Sequence, residues 1–212
     1  MLSHRLRRAP FAAPVGTGVY HVATAASADA TITIPAAAAV GDLAVLLDAC
    51  DSSGAITSVV PAGWTLIKAL LVTTAERHNS SYKILTSGDP GATLTGMTAA
   101  IQNKLLFVFR LAGGISSITV ATNKGSAVTT NPTDLTAFAG SEPYVVVAGL
   151  SGGPTAGADW DSLTPAAHGS QLQGYLRGAY WAFNDAEGED VSEVMGDWGA
   201  HTEVSLCALE VS

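Results

Sequence analysis

The stretch GDLAVLLDACDSSGAITSVVPAGWTLIKALL, residues 41–71, carries the pattern that decides the fold of this chain. Its apolar runs are short, and turn residues separate them: Asp-Ser-Ser-Gly at 51–54 and Pro-Ala-Gly at 61–63. The run LAVLL at 43–47 is continuously apolar, which is typical of a central strand covered on both faces. Because no 3.6-residue period is sustained, the stretch predicts strands and tight turns rather than helices.

The same pattern extends along the 212 residues. Isoleucine and threonine alternate in TITI at 31–34, and YVVVAGL at 144–150 is a second apolar run. We therefore predict an all-β chain, an antiparallel β-sandwich or jelly-roll-like fold with about 12 short strands and little helix. The predicted strands are 18–24, 30–35, 43–49, 56–60, 65–73, 80–86, 105–111, 117–121, 144–150, 175–183, 191–194 and 203–211, with single helical turns at 36–40 and 98–103.

No linker divides the chain, which predicts an extended N-terminal arm at 1–17 followed by a single domain at 18–212. A weak internal echo is present, since Trp64 precedes Tyr82 by 18 positions and Trp160 precedes Tyr180 by 20. This echo indicates either a duplication, with halves at 18–125 and 126–212, or chance recurrence in a β-rich sequence.

The N-terminal segment starts with basic residues, as a secretory signal does, but Pro10, Pro14 and Gly16 interrupt any apolar region. No run reaches the roughly 18 apolar residues of a membrane helix. These features predict neither a targeting peptide nor a membrane partner.

Only 13% of the residues are charged, against about 25% in an average domain, while 48% are hydrophobic. This composition excludes a disordered chain and a coiled coil, because both need many more charged residues. A surface with so few charges favours packing against copies of the chain or against other proteins.

The net charge of −8 is unevenly distributed. Residues 1–140 carry nine Lys and Arg and seven Asp and Glu, whereas residues 141–212 carry Arg177 alone against eleven acids. Arg5, Arg7 and Arg8 make the arm basic, which predicts either arm-to-acidic-face assembly between subunits or, alternatively, only a solubilising acidic surface. Nucleic acid is not expected as a partner, because the body lacks clustered cations.

Cys50 and Cys207 lie in apolar runs, which predicts buried free thiols, with a long-range disulfide as the alternative. Because the sequence holds no CxxC motif or Cys/His cluster, no metal and no cofactor is predicted.

Two loops resemble catalytic or ion-binding motifs. Gly149-Leu-Ser-Gly-Gly153 matches the nucleophile elbow of hydrolases, but Pro154 and Gly157 prevent the helix that must follow Ser151. The loop at 184–190 spaces acidic residues as a calcium loop does, yet its glycine position departs from that motif, so a solvated hairpin tip is the simpler interpretation. We predict no catalytic residue and no enzyme activity.

Trp160, Trp181 and Trp198 lie among Asp, Asn and Gly in the acidic half, where sugar-binding sandwiches stack pyranose rings on tryptophan. They are candidate glycan contacts, and the alternative is that they belong to the core or to a subunit interface.

A set of turn and strand residues forms a recognisable signature between 29 and 95. It comprises Gly41-Asp42-Leu43, then Pro61-Ala-Gly63-Trp64-Thr65, then Tyr82-Lys83, then Gly88-Asp89-Pro90. This signature resembles a broad group of tailed-bacteriophage structural proteins, in which a GDL strand, a P-x-GW-T turn and a Y-K strand followed by a G-(D/E)-P turn recur in a β-sandwich. Pro61 and Gly63 are expected to form a tight turn that delivers Trp64 into the sandwich.

The resemblance implies a virion protein whose partners are other virion proteins and copies of itself, assembled in the bacterial host cytoplasm. Capsid decoration or cementing fits a compact domain without fibre repeats. The alternative is a tail or fibre module that binds a receptor or a host glycan. The family has no catalytic residues to carry over.

Overall fold

The computed structural model describes residues 18–51, 60–71, 76–97, 101–126, 143–151, 167–174, 176–183 and 203–212. The described part contains twelve strands and no helix, so the predicted all-β fold is confirmed. The strands in chain order are β1 Val19–Ser27, β2 Ile32–Thr33, β3 Leu43–Asp51, β4 Thr65–Leu71, β5 Glu76–Ile84, β6 Thr93–Leu94, β7 Ile101–Leu111, β8 Ile118–Ser126, β9 Tyr144–Ser151, β10 Gly169–Gln173, β11 Leu176–Phe183 and β12 Glu203–Val211.

Ten of these strands form two five-stranded antiparallel sheets. The first sheet has the order β4-β5-β3-β7-β1 and the second has the order β10-β11-β9-β12-β8, while β2 and β6 pair separately. Each large sheet therefore takes its strands from one part of the chain. The division lies between Leu111 and Ile118, earlier than the predicted boundary at 125/126.

The two sheets share one topology. In each, the second strand is central, the fifth and first lie on one side of it, and the fourth and third lie on the other. The first strand of each sheet also carries a bulge at the same place, because Val22 in β1 and Ala121 in β8 have no partner in their ladders. The two halves of the chain thus repeat each other in strand order and register. A duplication as the origin of this repeat stays a prediction.

The sheets pack face to face over one apolar core that both contribute to. Alternate residues of the central strands point into it, such as Leu43 and Val45 from β3 and Val145 and Val147 from β9. Gly178 of β11 allows the close approach of the two layers, since a Cβ there would lie 2.8 Å from the ring of Phe107.

Aromatic side chains join the sheets beside β1. The ring of His21 stacks on Tyr180 of the opposite sheet, with centroids 4.2 Å apart and planes 18° from parallel. Phe107 and Phe109 meet Tyr180 at 5.4 and 5.5 Å. Such pairs contribute about 0.5–1.5 kcal/mol each beyond their buried area, so they help to lock the sheets together at this corner.

A second apolar cluster covers the outer face of the first sheet, and we call it the outer layer. Turn segments and the β2–β6 pair supply its covering residues, including Ile32, Ile34, Trp64 and Leu85. These pack on Ala44, Leu46, Leu106 and Val108, the outward-facing residues of β3 and β7. The first sheet is therefore buried on both faces, as its continuous apolar run predicted.

Three sequence-based expectations need correction. Residues 101–103, predicted as part of a helical turn, begin β7. Residues 36–40 form turns rather than helix. The strands β6 and β10 were not predicted, because neither Thr93–Leu94 nor the polar run GSQLQ carries an apolar alternation.

Candidate functional site

The signature residues lie in or beside the outer layer, where they fix turns. Gly41 adopts φ +86°, which favours glycine, and its amide donates to the carbonyl of Leu85 at 2.9 Å. Leu85 returns a bond from its own amide to the carbonyl of Asp42 at 2.8 Å. The turn before β3 is thereby tied to the end of β5.

The carboxylate of Asp42 is buried, and both of its oxygens accept hydrogen bonds. It accepts hydrogen bonds from Nε and Nη2 of Arg110 at 2.7 and 2.8 Å, and a third from the amide of Ala39 at 2.7 Å. Arg110 also donates to the carbonyl of Ala37 at 3.2 Å. The hydrogen bond to Asp42 raises the pKa of Arg110. This bidentate ion pair holds the 35–42 turn against β7.

Pro61 and Gly63 form the predicted tight turn. The amide of Trp64 donates to the carbonyl of Pro61 at 3.1 Å, and Gly63 adopts φ +78°. Trp64 is buried in the outer layer rather than between the two sheets. The expectation that the turn delivers Trp64 into the sandwich interior is corrected in this respect, because β4 follows at the sheet edge and its preceding turn folds over the outer face.

The remaining signature residues are also structural. Tyr82 pairs with Val45 and packs against the core between the sheets. Asp89 accepts bonds from Lys83 Nζ at 2.6 Å, from the amide of Thr86 at 2.6 Å and from its hydroxyl at 2.7 Å. Although burial opposes ionisation, these bonds from Lys83 and Thr86 lower the pKa of Asp89 and hold the turn that follows β5.

A buried charged cluster, which the sequence analysis did not predict, lies at one end of the first sheet. Asp48 of β3 meets Arg77 Nη2 at 2.7 Å and Lys104 Nζ at 3.2 Å, and both cationic side chains are fully buried. Lys104 also donates to the carbonyl of Asp29 at 3.0 Å. Burial lowers the pKa of Lys104 even though the charge of Asp48 opposes that effect. The sequence does contain one indication of this cluster, because Asp48 is a lone carboxylate inside an apolar run. A buried carboxylate without a partner would strongly destabilise the fold, so a cationic partner could have been expected.

The described thiols and histidines do not form a nucleophilic centre. Cys50 and Cys207 are buried and form no disulfide, so the predicted disulfide alternative is wrong and the prediction of buried thiols is confirmed. Burial raises the pKa of Cys207 to about 12, which leaves its thiol protonated and unreactive near neutral pH. Burial lowers the pKa of His78 to about 4, so this histidine is neutral.

Ser151 lies in the last position of β9, and its backbone pairs with Leu176 and Glu203 on either side. A nucleophile elbow instead places the serine on a strained turn between a strand and a helix. Ser151 is instead paired on both sides within a sheet, and residues 152–157, which would form that turn, lie outside the described residues. Within the described residues, no group of His, Cys, Asp or Glu is arranged to hold a metal ion.

Trp181 is buried and cannot be one of the predicted glycan contacts. Its side chain has no exposed area, so neither face of the indole can stack on a sugar, and that prediction is corrected. The residue faces away from the shared core, as the partner of Val146, and is nonetheless buried. Outside the described residues lie Trp160, Trp198, the acidic loop 184–190 and the arm residues Arg5, Arg7 and Arg8.

Comparisons of this chain with protein-family models, curated protein sequences and solved structures returned no match. The segments described in the structure include no helix of the length and apolarity needed to span a bilayer.

Proposed function

We propose that this chain is a non-enzymatic structural subunit of a bacteriophage particle, located on the virion surface and acting in capsid decoration or cementing. The main support for the proposal is that the signature residues have structural roles. Gly41, Asp42, Gly63, Trp64 and Asp89 each hold a turn or fill the outer layer. Such residues specify an architecture rather than a reaction.

The chemistry of the described residues supports a structural role. Two ion pairs with buried carboxylates, Asp42 with Arg110 and Asp48 with Arg77, tie strands and turns together. A carboxylate that acts in a catalytic cleft would instead be open to substrate. The buried, protonated thiol of Cys207 fits the same interpretation.

The charge distribution supports assembly through the arm. The three arginines at positions 5, 7 and 8 precede a nearly neutral body, and the acids concentrate after residue 141. A basic arm that binds the acidic half of a neighbouring subunit gives assembly a direction. The partners proposed are therefore capsid or tail proteins and further copies of this chain.

The test is quantitative mass spectrometry of purified particles from cells that produce the virion. We expect the wild-type chain at high copy number, and we expect a variant lacking residues 1–10 to fold but to be lost from particles. Replacing the three arm arginines with lysine is the control, because it preserves the charge and should preserve incorporation. Absence of the wild-type chain from particles would overturn the proposal, and normal incorporation of the truncated variant would overturn the role of the arm.

A further inference from the structure

The second sheet is buried on the face that points away from the shared core. Val145 and Val147 of β9 point into that core, so the residues that alternate with them point outward. The outward-facing residues of the three central strands are at most 1% exposed: Val146, Ala148, Ala179, Trp181 and Ala208. Because this burial occurs within a single chain, atoms of the same chain cover these residues.

These five residues form one continuous patch, which we call the second outer face. Val146 of β9 pairs with Trp181 on one side and with Ala208 on the other, and Ala148 pairs with Ala179. As far as the described residues form them, neither the shared core nor the outer layer contains any member of the patch. Its cover is therefore a separate part of the chain.

The first sheet shows how such a face is closed. β5 and β7 both run antiparallel to β3, which lies between them, so they are parallel to each other. Parallel strands need a crossover connection, which carries the chain back along the sheet. The described part of this connection, residues 85–97, lies over the outward face of the first sheet, where it contributes Leu85, Leu94 and Met97 to the outer layer.

The second sheet has the same requirement. β11 and β12 lie on either side of β9, and both run antiparallel to it. β11 ends at Phe183, opposite Tyr144 at the start of β9. β12 begins at Glu203, opposite Ser151 at the end of β9. The chain between these strands, residues 184–202, therefore joins opposite ends of β9. The shared core fills the inner face, which leaves the second outer face as the direct route.

We propose that the connection 184–202 crosses the second outer face and is the segment that covers β9. The connection is longer than the dozen or so residues that a crossover needs. Its sequence combines many acids, which suit the solvent side, with four apolar residues that suit the sheet: Val191, Val194, Met195 and Trp198. No second copy and no other protein is needed, since the burial is complete in one chain.

This cover changes the interpretation of Trp198, which the sequence predicted as a glycan contact. A tryptophan that packs on the second outer face has no ring face left for a sugar. The face is likewise closed to a protein partner, so assembly contacts must use other surfaces. The inference does not rest on the proposed function, because a crossover over this sheet is compatible with any role of the chain.

The experiment measures how fast a maleimide labels a thiol placed in the patch, with labelled sites resolved by peptide mass spectrometry. Ala148→Cys is the probe, and Leu172→Cys is the reference because Leu172 is exposed. At low micromolar protein the probe is expected to be labelled about 100-fold or more slowly than the reference, since the cover must open first. The native thiol of Cys207 lies in the shared core and reports any opening of the whole sandwich.

A second pair of variants identifies the covering segment. In the probe background, the four apolar residues of 184–202 are changed together to serine. Labelling of the probe is then expected to be about tenfold or more faster, while Cys207 stays protected. The matched control changes four acids of the same connection to serine and should leave the rate unchanged: Asp185, Glu187, Glu189 and Glu193.

Three results would overturn the proposal. A probe labelled as fast as the reference would show that the face is open. Protection that appears only as the protein concentration rises would identify a second copy as the cover. Protection that persists in the four-serine variant would assign the cover to another connection. If Cys207 becomes reactive in that variant, Trp198→Ser replaces it, with faster labelling of the probe supporting the proposal and an unchanged rate refuting it. Whether the chain is present in virions is decided separately, by mass spectrometry of particles.

Discussion

His78 lies on β5 without solvent contact, and burial controls its protonation. Desolvation is the main cause that lowers its pKa to about 4, and the adjacent charge of Arg77 adds to the effect. The backbone of His78 pairs with Ala49 of β3 and Leu70 of β4, and Ala49 belongs to the shared core. Asp48 and Lys104 lie on the opposite, outward-facing side of the sheet.

The shift predicts a pH dependence of stability that one substitution should remove. Between pH 6.5 and pH 4 the unfolded chain binds a proton at His78 that the folded chain refuses, so stability is complete above 6.5 and decreases as the pH falls toward 4. The loss amounts to about 3 kcal/mol at the lower end. Urea denaturation across this range should show the decrease in the wild type and a flatter profile in His78→Gln. A wild-type profile that is flat between these values would contradict the prediction.

The charged cluster around Asp48 shows why single residues were only partly predictable. Lysine and arginine are almost never fully buried unless paired, so sequence patterns assign Arg77 and Lys104 to the surface. Their pairing with Asp48 depends on strands that are 29 and 56 positions away in the chain. Only the register of β3 with β5 and β7 brings the three side chains together.

The turn at 35–42 depends on the pair of Asp42 and Arg110 more than on its own sequence. Asp42→Asn removes the charge from a carboxylate that satisfies two guanidinium nitrogens and the amide of Ala39. We expect the free energy of unfolding to fall by about 2–4 kcal/mol, because a buried, hydrogen-bonded ion pair is broken on one side. Chemical denaturation with an unchanged slope would measure it.

The control is Lys83→Met, which removes an ion pair whose carboxylate, Asp89, is more exposed than that of Asp42. That loss should cost less than about 1 kcal/mol, because Asp89 keeps its two hydrogen bonds from Thr86 and some contact with solvent. Equal effects of Asp42→Asn and Lys83→Met would show that the Asp42 pair is no stronger than the pair of Lys83 with Asp89.

At the level of elements, the apolar strands were well predicted and the polar ones were not. The prediction of 203–211 matches β12, and 43–49 falls short of β3 by two residues. The predicted strand at 80–86 begins four residues late, because Glu-Arg-His-Asn at 76–79 has the composition of a loop. Arg77, His78 and Asn79 are nonetheless buried in this strand, and Asp48 of the neighbouring β3 pairs with Arg77.

The molecule as a whole depends on two sheets that cannot bury their inner faces alone. Tyr82 and Tyr180 hold equivalent places on the fourth strands of the two sheets, opposite Val45 and Val147. Both pairs pack into the single shared core. Each half of the chain therefore provides the apolar surface that the other half covers.

Expression of residues 18–112 alone should consequently yield no stable monomer. The inner face of the first sheet would expose Leu43, Phe107, Phe109 and their neighbours, which drives aggregation or self-association. Size exclusion and binding of a hydrophobic dye would detect this, and adding residues 113–212 in trans should reduce it. A soluble, monomeric half with a cooperative melting transition would contradict the prediction and show two independent domains.

The sequence by itself determined the all-β class, the central strands and the glycine-bearing turns, because these follow from local alternation and from backbone conformations that glycine and proline favour. The tertiary structure alone decided which strands share a sheet, the burial of Trp181 and the placement of Trp64 in the outer layer. It also left β10 as the one unbulged and uncharged edge among the described strands. The physical reason is that burial and pairing depend on what lies opposite a residue, and in this fold the opposite residue is usually distant in the chain.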